Sequence, residues 1–274
     1  MAKNITRKAS LVSGRIIAIV PAAGIGRRLG ASQKKTFVDC LGVPLLIHTL
    51  KRLNSVKSIT EIIPVIGKED IGKTHKLIQT YHINKVKRIA MGGKERQDSV
   101  YNALCLIAND NINTLPFIPS RPEAGLREGS LRQGRGDKDL ILIHDGARPF
   151  VTAELIKKLL SEIQGNKSID GVIPGIPVKD TIKEAGDDGI ILSTKKREKL
   201  RAIQTPQVFR YGALRKAYDR AQKTGFYATD DAALVEKTGG KIKIILGHPY
   251  NIKVTTPEDM GMVEYLLSKS PIKI

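Results

Sequence analysis

Tryptophan is absent from this 274-residue chain and aromatic residues make up only 4% of it, which argues against a carbohydrate platform or a base-stacking surface. Cysteine is nearly as scarce. Cys40 and Cys105 stand outside any Cys-x-x-Cys pair or Cys/His cluster, so two buried thiols in a reducing, cytoplasmic setting are expected. The histidines, His48, His75, His82, His144 and His248, are scattered, which argues against a zinc site or a histidine-based nucleophilic triad. No apolar run approaches the roughly 20 residues of a membrane span, and no signal-peptide core follows Lys3, Arg7 and Lys8, so no membrane partner is expected. Acidic residues are outnumbered 27 to 46 by Lys and Arg, a net charge of +19. These cations run along the whole chain without a nucleic-acid fold signature. A solvated basic surface that favours small anionic substrates is the better reading, with no nucleic-acid partner.

What the chain does have is a glycine loop in a telling place. Ile16 to Val20 reads as a short buried strand, and Pro21-Ala-Ala-Gly-Ile-Gly-Arg-Arg-Leu-Gly30 with Lys34 and Lys35 follows it directly. Glycines free the backbone to wrap an anion, while Arg27, Arg28, Lys34 and Lys35 can neutralise phosphate oxygens. A nucleotide triphosphate suits such a cradle. Two commoner signatures fail on spacing, since Leu29 stands where a dinucleotide fingerprint needs Gly or Ala and no Gly-Lys-Ser/Thr ends a Walker loop.

Short aliphatic runs at Ile16 to Val20, Ile62 to Ile66, Val86 to Ala90 and Leu140 to Ile143 alternate with helical patterns. The expected fold is α/β, a Rossmann-like, mostly parallel sheet flanked by helices. Pro44 to Val56 reads as a helix, and Thr256-Pro257-Glu258-Asp259 as the N-cap of the last one. Residues 1–14 read as a basic extension and 15–274 as a single domain. Within it, 109–137, rich in proline, glycine and arginine, reads as a surface insertion. Residues 172–207 read as a protruding β-arm whose polar tip cannot bury itself, which predicts packing against a second subunit.

His144-Asp-Gly-Ala-Arg-Pro-Phe150 follows a strand, so Asp145 and Arg148 are expected at the carboxyl edge of the sheet, where open α/β sheets bind ligands. A carboxylate there suits Mg²⁺, which takes one or two carboxylates together with phosphate oxygens.

With these blocks go Gly92-Gly-Lys-Glu-Arg-Gln-Asp-Ser99, Pro177-Val-Lys-Asp-Thr-Ile-Lys183, Gln204-Thr-Pro-Gln-Val-Phe209, Thr229-Asp-Asp231 and Asn251-Ile-Lys-Val-Thr-Thr-Pro-Glu-Asp259. Together the seven resemble the 2-C-methyl-D-erythritol 4-phosphate cytidylyltransferases, nucleotidyltransferases of isoprenoid precursor synthesis. The resemblance implies attack by the 4-phosphate of methylerythritol phosphate on the α-phosphorus of CTP, without a covalent enzyme intermediate. It implies that Ala22, Ala23, Gly24 and Gly26 surround the triphosphate and that Arg28 and Lys35 stabilise developing charge. Lys253 would clamp the α-phosphate, Gly93 and Ser99 would meet cytosine and ribose, and Asp145 and Gly146 would complete the CTP site, with Asp145 on Mg²⁺. Arg148, Thr181, Arg197 and Thr229 would serve the acceptor, Thr181 and Arg197 from the arm of the partner subunit in a homodimer.

Three departures stand out. Lys34-Lys35-Thr36 replaces the usual proline-lysine-glutamine run, Lys94 stands where an acidic residue is common, and 109–137 is atypical. Two other readings remain at this stage: a ribitol 5-phosphate cytidylyltransferase, disfavoured by the arm motif, and an inactive basic nucleic-acid-binding relative, disfavoured by Arg28, Lys35, Asp145 and Lys253.

Overall fold

A computed structural model describes residues 14–24, 35–108 and 138–269; Gly26, Arg28 and the 109–137 insertion lie outside the described residues. The first strand, β1 (Ile16–Pro21), is built from β-branched and small residues, five of them buried. Its pleat sends Ile16, Ala18 and Val20 to one face of the sheet and Ile17 and Ile19 to the other. Burial on both faces is why the run is continuously apolar rather than alternating.

A 3-10 turn at Lys35–Phe37 leads into a short hairpin, β2 (Asp39–Cys40) and β3 (Val43–Pro44), and then α1 (Leu45–Ser55), β4 (Glu61–Ile66), α2 (Ile71–Thr80), β5 (Ala90–Met91) and α3 (Arg96–Ala108). The second half runs β6 (Leu140–Ile143), α4 (Ala153–Gly165), β7 (Gly171–Pro177), β8 (Lys183–Ala185), β9 (Ile191–Thr194), β10 (Arg201–Ile203), β11 (Gln207–Arg210), α5 (Tyr211–Thr224), α6 (Asp231–Lys237), β12 (Ile242–Leu246) and α7 (Pro257–Lys269). Local signals set the helix ends. The Thr152 side chain caps α4 by accepting from the Leu155 N–H, Asp230 does the same for α6, and Gly225 ends α5 at a φ of 64°. Asp259 binds back to the Thr255 and Thr256 N–H groups at 2.7 and 2.9 Å, which fixes the start of α7 as the sequence predicts.

The central sheet is mostly parallel, as expected. β1 pairs in parallel with β4 and β6, β4 with β5, and β7 with β12, while β10 and β11 run antiparallel beside β7, and β11 bridges β7 to β6. Residues of α1, α2 and α4 cover one face and those of α3, α5 and α6 the other. A third, smaller cluster joins Val254, Met260 and Val263 to Cys40, Ala147 and Phe150, so the C-terminal segment is docked onto the end of β6.

Three expectations need correction. The strand read over Val86 to Ala90 shrinks to β5, preceded by an isolated bridge between Ile62 and Val86. Pro64 is the reason: Ile62 donates toward this side of β4, to the Lys85 carbonyl at 2.9 Å, and Pro64, next on the same side, has no N–H to continue the ladder. The arm is narrower than 172–207, because β7 and β10 lie in the central sheet and only β8 and β9 form a separate hairpin. Cys40 is buried as expected, but Cys105 is half-buried; burial pushes the Cys40 thiol up to about 11 and raises that of Cys105, so both are poor nucleophiles.

Gly171, in β7, has no room for a side chain: a Cβ there would lie 2.5 Å from the Phe209 ring and 2.7 Å from Ile242 Cδ1. Gly171→Ala is expected to destabilise the fold by about 1–3 kcal/mol through overpacking. Denaturant unfolding reads this directly, and an unchanged midpoint would mean that the Phe209 ring has room to retreat.

Candidate active site

The ends of β1, β4 and β6 open together, since the Ala22 N–H donates to Val65 O at 2.9 Å and the Gly146 N–H to Pro21 O at 3.1 Å. A cleft of about 890 Å³ lies over these ends. Ala22, Ala23, Gly24, Gly93, Ser99, Asp145, Gly146 and Lys253 all line it, which brings together eight of the residues read as ligand contacts. The glycines are there for closeness. A Cβ on Gly92 would sit 2.3 Å from that of Ala23, and one on Gly93 would sit 2.3 Å from that of Asp98. Ser99 braces this turn, accepting from the Gly93 N–H at 3.0 Å and donating to Glu95 O at 3.0 Å.

Asp145 is the electrostatic centre. It is 7% exposed and faces three cations, with Lys253 Nζ at 2.8 Å, Arg96 Nε at 3.3 Å and Arg148 Nε at 3.5 Å. Burial alone would raise its pKa, but Arg96, Lys253 and Arg148 together hold it well below the usual carboxylate range, so it stays ionised. Lys253 reaches it because the Val254 N–H donates to Ala147 O at 2.9 Å, stitching the Asn251–Val254 loop to the β6 end. Arg148 Nη1 donates to Asn251 O at 2.6 Å and Asn251 Nδ2 to Thr205 O at 2.7 Å, closing the ring of loops.

His144 is wholly buried, with both ring nitrogens within hydrogen-bond distance of a neighbour. Its Nδ1 lies 3.0 Å from Thr205 Oγ1 and its Nε2 3.0 Å from Arg148 O, while Thr205 Oγ1 accepts from the Asp145 N–H at 3.0 Å. Desolvation pushes its pKa down to about 4, so it is a neutral spacer that fixes the backbone on either side of Asp145.

Other expected residues sit elsewhere. Arg148 is 9% exposed, committed to Asp145 and Asn251 beneath the cleft surface. Thr181 and Arg197 are exposed beside the β8–β9 hairpin, with Arg197 Nη1 donating to Lys179 O at 3.0 Å, and Thr229 is exposed ahead of α6; none of the three lines this chain's cleft. Lys35 opens the turn in which Thr36 donates to Ala22 O at 3.1 Å, so its backbone is tied to the start of the glycine loop. Sequence reading assigned no role to Arg96, which lines the cleft and bridges Asp145 to Asp231. Its place in Gly92–Ser99 was the available signal, but its carboxylate partners are 49 and 135 residues away.

A family model described as 2-C-methyl-D-erythritol 4-phosphate cytidylyltransferase matches residues 16–118 and 128–269. A protein of that name from Desulforamulus reducens is 38% identical over 257 residues, 93% of this chain and 97% of that one. One from Bacillus licheniformis is 38% identical over 91% of this chain and 94% of its own length. Among solved structures, a 4-diphosphocytidyl-2C-methyl-D-erythritol synthase from Anaerococcus prevotii superposes with a TM-score of 0.72 at 29% identity, covering 93% of this chain and 97% of that one.

The buried histidine gives a pH test. The folded chain resists a proton that the unfolded chain accepts near 6.5, so stability is complete above that pH and declines as pH falls from 6.5 toward 4, by about 3 kcal/mol in all. Unfolding free energies of His144→Asn should show a shallower slope across this window. An unaltered slope would remove His144 as its source.

Proposed function

The chain belongs to the 2-C-methyl-D-erythritol 4-phosphate cytidylyltransferase family, and on that premise we propose how its residues transfer CMP from CTP to 2-C-methyl-D-erythritol 4-phosphate in isoprenoid biosynthesis. The observation that carries the reading is the glycine-lined cleft ending in Asp145 and Lys253. An acceptor phosphate oxygen attacks the α-phosphorus of CTP, the bond from that phosphorus to the α,β-bridging oxygen breaks, and the β- and γ-phosphates leave together as pyrophosphate. The substrates bring both nucleophile and leaving group, so the protein's task is positioning and charge stabilisation.

Backbone groups of Ala22, Ala23, Gly24 and Gly26 cradle the triphosphate, and Gly93, Ser99 and Gly146 bound the nucleoside side. Arg28 and Lys35 meet the charge that develops on the transferring and leaving phosphates. Lys253, whose side chain is 38% exposed, turns from Asp145 to the α-phosphate when the nucleotide arrives. Arg148 supports the acceptor phosphate from below, and Thr229 adds a hydrogen bond at the rim.

The donor set fits Mg²⁺. Asp145 is ionised, faces the cleft, and carries on Oδ2 a half-buried lysine that can move aside, while the nucleotide supplies further oxygens. When bound, the ion would offset phosphate charge and orient the triphosphate. Among the described residues no group of three or more metal-ligating side chains competes with this one-carboxylate arrangement.

A homodimer completes the reading. The hairpin of β8 and β9 exposes Ile190, Ile191 and Leu192, each more than half accessible, and an isolated two-stranded hairpin is marginal in water. We assign these residues to a partner subunit, whose cleft Thr181 and Arg197 then enter. No helix among the described residues is long and apolar enough to cross a membrane; with its unpaired thiols the enzyme is assigned to the cytoplasm.

Pyrophosphate release from CTP and Mg²⁺ is expected with methylerythritol phosphate and not with ribitol 5-phosphate; the reverse preference would keep the chemistry and reassign the acceptor. Lys35→Ala and Lys253→Ala should each lower turnover by about 10²-fold or more, as losses of transition-state charge stabilisation do. Unchanged turnover would remove them from the mechanism. Mixed dimers of Lys35→Ala and Arg197→Ala chains hold one intact shared site, so activity absent from both parents should return on mixing. Continued silence would sink the shared-site arrangement.

A further inference from the structure

Asp231 is fully buried at the start of α6, away from the cleft surface, yet it is wired to it. Arg96 Nη1 and Nη2 donate to its two oxygens at 3.0 and 2.7 Å, and the Tyr218 hydroxyl donates to Oδ1 at 2.5 Å. Tyr218 is itself fixed, fully buried on α5 with its ring stacked on Tyr101 at 6.3 Å. Arg96 Nε, the remaining nitrogen of the planar fork, points to Asp145 Oδ1 at 3.3 Å.

We propose that Asp231, locked by Tyr218, is a positioning residue for the transfer reaction, acting through Arg96 to hold Asp145 in its cleft-facing orientation when Lys253 departs. This rests on the proposed exchange of Lys253 between Asp145 and the α-phosphate. A guanidinium is flat, so fixing two of its nitrogens on one carboxylate fixes the direction of the third N–H. Before nucleotide binds, Asp145 is held from two sides, by Lys253 on Oδ2 and Arg96 on Oδ1. Once Lys253 leaves, Arg96 and the buried Arg148 are what keep the carboxylate from rotating.

Asp231 has a second effect on Arg96. It neutralises a guanidinium whose side chain is 31% exposed to the cleft, so Arg96 does not compete with Lys253 for phosphate. Without Asp231 the two terminal nitrogens could swing onto Asp145 and take the place of Lys253. Lysine at position 96 cannot bridge both carboxylates, since it is a point charge without a fork.

The test is steady-state kinetics of Asp231→Asn, Tyr218→Phe, Arg96→Lys and the double variant Asp231→Asn/Arg96→Lys, with thermal unfolding of each. Asp231→Asn should lower kcat about tenfold and Tyr218→Phe a few-fold, with KM for CTP within about threefold of wild type, as loss of a supporting hydrogen bond does. The double variant should be no slower than Arg96→Lys alone, because Asp231 acts only through Arg96. Unchanged kcat in folded Tyr218→Phe and Asp231→Asn, or losses that multiply in the double variant, would overturn the proposal. Wild-type protein that releases no pyrophosphate would instead overturn nucleotidyl transfer itself, a separate failure visible in the control.

Discussion

A single ionised carboxylate, Asp145, holds the working end of the molecule together. Burying it would be costly if it stood alone, and the cost is offset by Lys253, Arg96 and Arg148 arriving from three separate segments. Each cation brings its segment along: the C-terminal loop with Lys253, the start of α3 with Arg96, the β6 loop with Arg148. Removing Asp145 would leave three cations facing one another, so the carboxylate serves the architecture in its own right. The neutral His144 and Thr205 beside it fix the peptide that carries it.

The antiparallel insertion of β10 and β11 does two things at once. With β11 between β6 and β7 and β10 on the far side of β7, it brings the connection Gln204–Pro206 up against the end of β6, where Thr205 reaches Asp145 and Gln204 Nε2 donates to His248 O at 2.9 Å. It also turns the chain between β7 and β10 out of the sheet, which is where the exposed hairpin grows. Active-site support and the proposed subunit contact therefore share one topological device. A parallel strand in that position would need a crossover helix and would offer neither.

Those features were unevenly legible in the sequence. Strands β1, β4 and β6 were clear because burial on both faces makes them continuously aliphatic, and the cleft residues Ala22–Gly24, Gly93, Ser99, Asp145 and Lys253 were clear because each sits in a short local block. The break in β5 was encoded too, but in Pro64 on the neighbouring strand, so reading Val86 to Ala90 by itself missed it. Arg96, Asp231 and Tyr218 went unassigned because their chemistry exists only as a contact between α3, α5 and α6, and a buried ion pair leaves no periodic trace along the chain. The arm's reach was overestimated because Gly175 to Pro177 and Arg201 to Ile203 look irregular in sequence, although they pair with one another in register.

The net charge of +19 would suggest a cleft that attracts any anion, but the site is more guarded than that. Around Asp145, three cations face two carboxylates, and Arg96 is shared between both of them. In the proposed mechanism Lys253 is the member that changes partners, and it does so only for an anion that outcompetes a desolvated carboxylate at 2.8 Å. A monoanion offers too little to displace it, whereas a triphosphate brings several charges and, with a divalent ion, a replacement counter-charge for Asp145. In the proposed mechanism, then, selectivity for a nucleoside triphosphate comes from carboxylates built into a basic protein: they keep its lysine occupied until the right polyanion releases it.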